Sequence, residues 1–269
     1  MPPIDFNEKE FESAFNSEMI RTFRNSLNGF PEMPTAYAES RLGYDAKYEL
    51  FAGKEIASIY LQFKKPNVHS RCIRCGDSHL SPSDYDMSFN IQKARYPYLW
   101  HQHNILKQYA DLGYPTYYIS PLFSERAYLY ECIRNNTLID KSGFFSLAQM
   151  PLLPTMDRSH HRVCYSNRSN RAVFCTDPIS FEYSGLKLFL MEIRNRNQFV
   201  SFTEDYVRGA FEGAFDVIKK ETGKEPPTSP SEEQKDIPVS ARLAYLLKKQ
   251  YNLEWFLITR DEADAFLET

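Results

Sequence analysis

Four polar side chains early in the chain have the types and the order of a metal-dependent hydrolytic site. Glu39 lies on a short predicted helix, Asp45 opens a predicted strand, and Gln62 and Lys64 end the next strand. Alternate residues of a strand share a face, so Gln62 and Lys64 are expected to point the same way, about 6.6 Å apart. Two carboxylates and an amide oxygen suit a hard divalent cation, and an ammonium group can stabilise charge on a phosphate.

These groups predict a Mg²⁺ or Mn²⁺ site that hydrolyses phosphodiester bonds, because the metal polarises the phosphoryl oxygen and activates a bound water. Glu39, Asp45 and Gln62 are the expected metal ligands. Lys64 would act on the attacking water and on the phosphate. Each residue also has a simpler interpretation, such as a solvated helix charge for Glu39 or an edge-strand lysine for Lys64.

The elements expected to position these residues follow one another over residues 35–121. The pattern predicts a helix over 35–42, strands over 44–51 and 56–64, a helix over 97–112 and a strand over 115–121. A hairpin of the first two strands would bring Asp45 beside Gln62 in a favourable register. The Gly43 hinge lets the carboxylate of Glu39 reach the same place.

The arrangement resembles the PD-(D/E)XK nuclease superfamily, in the variants with Gln-x-Lys in place of Glu-x-Lys. The resemblance rests on Glu39, Asp45 and Gln62-Phe-Lys64 and covers residues 35–121. It implies an α/β fold with a mixed central sheet flanked by helices, a restriction endonuclease-like core. It also implies a Mg²⁺-dependent endodeoxyribonuclease with a role in restriction or defence. Tyr44 stands where the family has Pro, and Gln62 is neutral.

These departures leave a second hypothesis open, a catalytically inactive nuclease-like fold that acts as a nucleic-acid- or protein-binding subunit. A third is an interaction module stabilised by zinc at Cys72 and Cys75, which have metal-ligand spacing. A loop with two unpaired thiols is the alternative for that pair. Cys132, Cys164 and Cys175 complete an odd count, which argues for a reducing compartment and a cytoplasmic location.

Two further regions could contact nucleic acid. Gln102 and His103 start the helix that, in the resembled family, often contacts the backbone. The stretch 158–171 reads as a basic loop without acidic residues, and its arginine forks match phosphate oxygens. A solvated surface is the alternative for that loop. Its four candidate residues are Arg158, Arg162, Arg168 and Arg171.

The net charge of −3, from 32 basic and 35 acidic residues, argues against a nucleic-acid partner when it is read as one number. Residues 61–200 nevertheless carry 17 basic and 11 acidic side chains between acidic ends. The total therefore does not exclude DNA, and it leaves room for a protein partner or a homodimer. No apolar run is long enough for a membrane span, and the N-terminus lacks a signal peptide.

The expected organisation is a nuclease-like α/β domain over residues 1–200 that includes an N-terminal helix at 8–27. Residues 201–269 are expected to form a C-terminal helical extension, with a Pro-rich linker at 223–238.

Overall fold

The computed structural model describes residues 5–23, 53–75, 78–91, 102–154, 161–176, 178–223, 247 and 253–269. The helices are α1 (Glu8–Thr22), α2 (Gln102–Asp111), α3 (Arg126–Asn135), α4 (Leu186–Asn195), α5 (Glu204–Thr222) and α6 (Arg260–Leu267). The strands are β1 (Glu55–Phe63), β2 (Pro66–Val68), β3 (Ile73–Cys75), β4 (Ser78–Leu80), β5 (Met87–Ile91), β6 (Thr116–Pro121), β7 (Ser142–Ser146), β8 (His161–Tyr165), β9 (Arg171–Phe174), β10 (Ile179–Glu182), β11 (Val200–Ser201) and β12 (Glu254–Thr259).

Strand β1 is the centre of a mixed sheet, here called the first sheet. It runs parallel to β6, with Tyr60 opposite Thr116 and Phe63 opposite Ile119. On its other side, β1 pairs antiparallel with β12. Strand β11 pairs antiparallel with the first two residues of β1, and β7 extends the sheet beyond β6. A parallel pair needs a crossover connection, and α2 lies within the crossover between β1 and β6. The chain is therefore an α/β protein with a mixed central sheet, as the sequence predicts.

The neighbour of β1 differs from the hairpin that the sequence predicts. The expected partner, residues 44–51, lies outside the described residues. The place beside Ile56 to Leu61 is occupied by β12, from the C-terminal extension, where the sequence predicts a final strand or an apolar tail over 253–258. The pairing of two strands that are far apart in the chain cannot be predicted from their sequences, whereas a hairpin can be recognised from its turn.

A second sheet, in the order β10-β9-β8-β5-β2, packs against one face of the first sheet. Two of its strands, β8 and the start of β9, lie in the basic stretch 158–171, which the sequence reads as a loop. Strands β2 and β5 come from residues 66–91, which also contain a separate hairpin of β3 and β4. Short strands of three to five residues give too few alternations to be recognised by period.

Both faces of the first sheet are buried, since every residue of β1 after Glu55 is buried, including the polar Ser58 and Gln62. Ile56 and Tyr60 face a core formed with α2, α5 and the second sheet. Ile59 and Phe63 face the opposite core, which α1, α3, α4 and α6 cover. A fully buried central strand is typical of a sheet with packing on both sides.

Candidate active site

Gln62 and Lys64 lie on the same side of the first sheet, at the carboxyl end of β1. Gln62 is opposite Tyr118 of β6, one residue beyond the end of the pairing with β12. Lys64 continues the ladder, since its backbone N–H donates to Ile119 O at 2.8 Å. Phe63 points to the opposite core. The strand period expected from the sequence is confirmed for these three residues.

Lys64 is a cation held inside the protein. Its residue is 7% exposed, and its Nζ lies 4.7 Å from the centroid of the Tyr118 ring. Burial lowers the pKa of the Lys64 ammonium to about 8, and the charge of Glu8 opposes this effect. A lysine with such a pKa exchanges its proton near neutral pH, which suits a group that orients water or balances developing charge.

The ring beneath Lys64 is fixed by a chain of hydrogen bonds. His103 Nε2 lies 2.9 Å from Pro151 O, and a carbonyl can only accept, so in the neutral imidazole this nitrogen carries the proton. Nδ1 then accepts from the hydroxyl of Tyr118 at 3.0 Å. The His103 ring also packs on the Tyr118 ring at 5.9 Å between centroids. His103 therefore positions Tyr118, which in turn positions Lys64.

A second chain of hydrogen bonds fixes the backbone at this position. Ser120 Oγ donates to Lys64 O at 3.2 Å and lies 2.9 Å from Tyr165 Oη. Tyr165 also donates to Pro121 O at 3.0 Å. Tyr165 belongs to β8, so the second sheet is joined to the first sheet beside the Lys64 backbone.

Glu8 is an acidic residue near this end of β1 that the sequence did not indicate. Its carboxylate accepts from the backbone N–H of Lys65 at 3.1 Å, and its charge acts on Lys64. Glu8 opens α1, where Asn7 and Glu10 form a capping box that fixes the start of the helix. Only the packing of α1 against β1 brings Glu8 here, and no spacing in the sequence reports that packing.

The two predicted carboxylate ligands, Glu39 and Asp45, lie outside the described residues. Within the described ranges, no group of three or more His, Cys, Asp or Glu side chains could hold a metal ion. The part of the predicted site that can be placed consists of Gln62 and Lys64.

Gln102 and His103 are the first described residues of α2, within the helix expected over 97–112, but they differ in exposure. Gln102 is half-buried, whereas His103 is 1% exposed and both of its ring nitrogens lie against protein atoms. This arrangement turns His103 inward and gives it a positioning role, and the contact with nucleic acid expected for it stays a prediction. The physical reason is that α2 presents this side chain to the first sheet.

The three described arginines of the basic stretch occupy two different places in the fold. Arg158 lies outside the described residues. Arg162 and Arg171 alternate with Val163 and Ala172, which face the core, so these two arginines lie on the outer face of the second sheet. Arg168 lies in the turn that connects β8 and β9.

The two cysteines with metal-ligand spacing have different surroundings. Cys72 is exposed, whereas Cys75 is buried on β3. Cys75 packs with Cys164 and Cys175 on the outer face of the second sheet. The sequence spacing pairs Cys72 with Cys75, whereas the fold groups Cys75 with Cys164 and Cys175.

Comparison of the chain with protein-family models gave no match, and comparisons with curated proteins and with solved structures gave none either. In the described part of the chain, none of the helices has the length and apolar character needed to cross a membrane.

Proposed function

We propose that the chain is a metal-dependent nuclease that hydrolyses phosphodiester bonds of DNA, with a role in restriction or defence. The observation that carries the proposal is the placement of Gln62 and Lys64 on one buried face, at the carboxyl end of the central strand. Burying a cation costs free energy, so a buried lysine with a lowered pKa is a candidate for a functional group.

The roles follow from the chemistry of each group. Glu39, Asp45 and Gln62 would bind Mg²⁺ or Mn²⁺ through oxygen, as hard cations prefer. The metal would supply a bound water as the nucleophile and polarise the phosphoryl oxygen for an in-line cut. Lys64 would orient that water or stabilise the charge that builds on the phosphate.

A panel of substrates tests this proposal. Supercoiled, linear, single-stranded and methylated DNA are incubated with the protein in Mg²⁺ or Mn²⁺, and with EDTA as the metal-free control. We expect metal-dependent cleavage that Lys64→Ala and Asp45→Ala abolish. Lys65→Ala is the matched control, because Lys65 is the exposed neighbour of Lys64 and should leave cleavage unchanged.

Intact DNA across the whole panel, from folded protein with metal present, would count against the nuclease. The second candidate function, a nucleic-acid- or protein-binding subunit, would then be favoured. One observation supports that alternative already: Gln62 is neutral, and an amide binds metal more weakly than a carboxylate. If the metal site is present but weak, Gln62→Glu should tighten Mg²⁺ binding measured by calorimetry. If the site is absent, the variant should not bind Mg²⁺. Binding of labelled DNA to the uncleaving protein, and its oligomeric state in solution, would distinguish the two kinds of subunit.

A cytoplasmic location agrees with a DNA substrate and with five cysteines that form no disulfide among the described residues. Cell fractionation tests it.

A further inference from the structure

Three thiols meet on the outer face of the second sheet, opposite the face that packs against the first sheet. Cys75 comes from β3, Cys164 from β8, and Cys175 from the residue after β9. With Ile73 and Val173 they form a small buried cluster. Strand alternation explains the position, since the neighbours of Cys164 and Cys175 along β8 and β9 face the main core.

Cys175 lies between two possible partners. Its Sγ is 3.2 Å from Cys164 Sγ, in a contact where the Cys175 thiol donates. Cys75 packs in the same buried cluster. The backbone holds Cys175 firmly, because its N–H donates to Arg162 O at 3.0 Å and so continues the pairing of β8 with β9.

We propose that Cys164 and Cys175 are an oxidation site, at which a peroxide-class oxidant produces a disulfide within one chain. The two sulfurs need to approach by roughly 1 Å to reach bonding distance, which side-chain rotation can supply. Cys75 is the alternative partner of Cys175. The product would close the hairpin of β8 and β9 covalently, on the element that carries Arg168, Arg171 and Tyr165.

The reaction is a two-electron oxidation. The Cys175 thiolate attacks one oxygen of the peroxide, the O–O bond breaks, and the leaving hydroxide takes a proton to become water. The Cys164 sulfur then attacks the sulfur of the resulting sulfenic acid, and the S–O bond breaks to release a second water. Two thiols lose two electrons and two protons, and the peroxide receives them.

The surroundings set the rate. Contact with Cys164 and burial raise the pKa of Cys175, and burial raises the pKa of Cys75 to about 12. The positive charge of Arg162 acts in the opposite direction on both thiols. Because the thiolate is the reacting form, oxidation at this site should be slower than at the exposed Cys72. The disulfide, once formed, would be buried and so shielded from reductants in solution.

Peptide mapping of the full chain tests the proposal. The protein is treated with hydrogen peroxide, unreacted thiols are blocked with iodoacetamide, and the chain is digested with trypsin without reduction. Arg168 and Arg171 lie between the two cysteines, so cleavage there puts them on separate peptides that only a disulfide can join. We expect the Cys164–Cys175 peptide pair, and its loss on reduction.

Variants identify the shared partner. Cys175→Ser should remove every disulfide of the cluster, whereas Cys164→Ser should divert oxidation to Cys75 and Cys175. Cys132→Ser is the matched control, because Cys132 is equally buried but packs in the opposite core. It should leave the Cys164–Cys175 pair unchanged.

Two results would overturn the proposal without involving a variant. One is a Cys72–Cys75 disulfide in oxidised wild-type protein whose Cys164 and Cys175 remain blocked by iodoacetamide. The other is zinc that copurifies in one equivalent and prevents oxidation, since the thiols would then be metal ligands. Neither result depends on whether the chain cleaves DNA.

Discussion

The ammonium of Lys64 rests over the ring of Tyr118, with 4.7 Å between Nζ and the ring centroid. Gln62 and Tyr118 are cross-strand partners, so this ring lies on the same face as the Gln62-x-Lys64 pair. An aromatic face is a weak substitute for water around a cation. The contact therefore offsets only part of the free-energy cost of burying the Lys64 ammonium.

The first prediction concerns the pH dependence of stability. Burial lowers the pKa of Lys64 to about 8, whereas an unfolded lysine titrates near about 10.4. Between these values the unfolded chain binds more protons than the folded chain, so the free energy of unfolding attributable to Lys64 rises with pH. Below the folded pKa both states are charged, and the full cost of burial, on the order of 3 kcal/mol, is present. Lys64→Met should remove the rise and increase stability at neutral pH.

Urea unfolding at neutral pH and at about pH 9.5 measures this difference. Lys65→Met serves as the control, because it removes an exposed lysine and should keep the rise. Equal pH dependence in the two variants would show that Lys64 titrates as an ordinary lysine.

The second prediction separates the ring of Tyr118 from its hydroxyl. Tyr118→Phe keeps the ring under Lys64 and loses the hydrogen bond with His103, at a cost of about 1–2 kcal/mol. Tyr118→Leu removes the ring as well and should cost more. In a double-mutant cycle, the extra loss of stability from Tyr118→Leu over Tyr118→Phe should be smaller in the Lys64→Met background. Additive effects in that cycle would mean that the ring does not interact with the ammonium.

The third prediction assigns His103 to positioning. His103→Ala should destabilise the protein by about 3 kcal/mol, because it leaves the Tyr118 hydroxyl and Pro151 O without this partner and opens a cavity. Gln102→Ala, at the adjacent half-buried position, should change stability by less than about 0.5 kcal/mol. Thermal unfolding and DNA binding are measured on both variants. If His103→Ala left stability unchanged and weakened DNA binding, His103 would instead be a residue that contacts nucleic acid.

The fourth prediction concerns a buried carboxylate on the other side of the sheet. Glu18 of α1 accepts from the backbone N–H groups of Leu138 and Ile139, at 2.9 and 3.1 Å. Glu18→Ala leaves two buried donors without this acceptor and should cost about 2–4 kcal/mol. Glu18→Gln keeps one acceptor oxygen and should cost roughly half as much. Chemical denaturation gives both values, and equal losses would show that one neutral acceptor oxygen does not replace the carboxylate.

The local part of the candidate site was predictable from the sequence. Gln62, Phe63 and Lys64 alternate between faces because the strand period is two, and that rule needs only the residues themselves. The apolar run before them and Pro66 after them marked the strand. The following helix and the strand that pairs parallel with β1 were also recognised within the described residues.

The long-range part was not predictable. The placement of Glu8 beside Lys65 depends on how α1 packs, and the inward orientation of His103 depends on the face that α2 presents to the sheet. The outer position of Arg162 follows from a strand that the sequence reads as a loop. Each of these relationships joins elements that are far apart in the chain, and periodicity reports only neighbours within an element.

Strand β12 has a consequence for synthesis. It occupies one side of β1 from Ile56 to Leu61, and its Trp255 indole donates to Ser58 Oγ at 2.7 Å. A growing chain that has not yet reached Glu254 must therefore carry β1 with that side unpaired and apolar. The first sheet can be completed only after β12 has left the ribosome. Until then the nascent chain exposes an edge that other strands can join, and we expect it to require chaperone protection that the finished protein does not need.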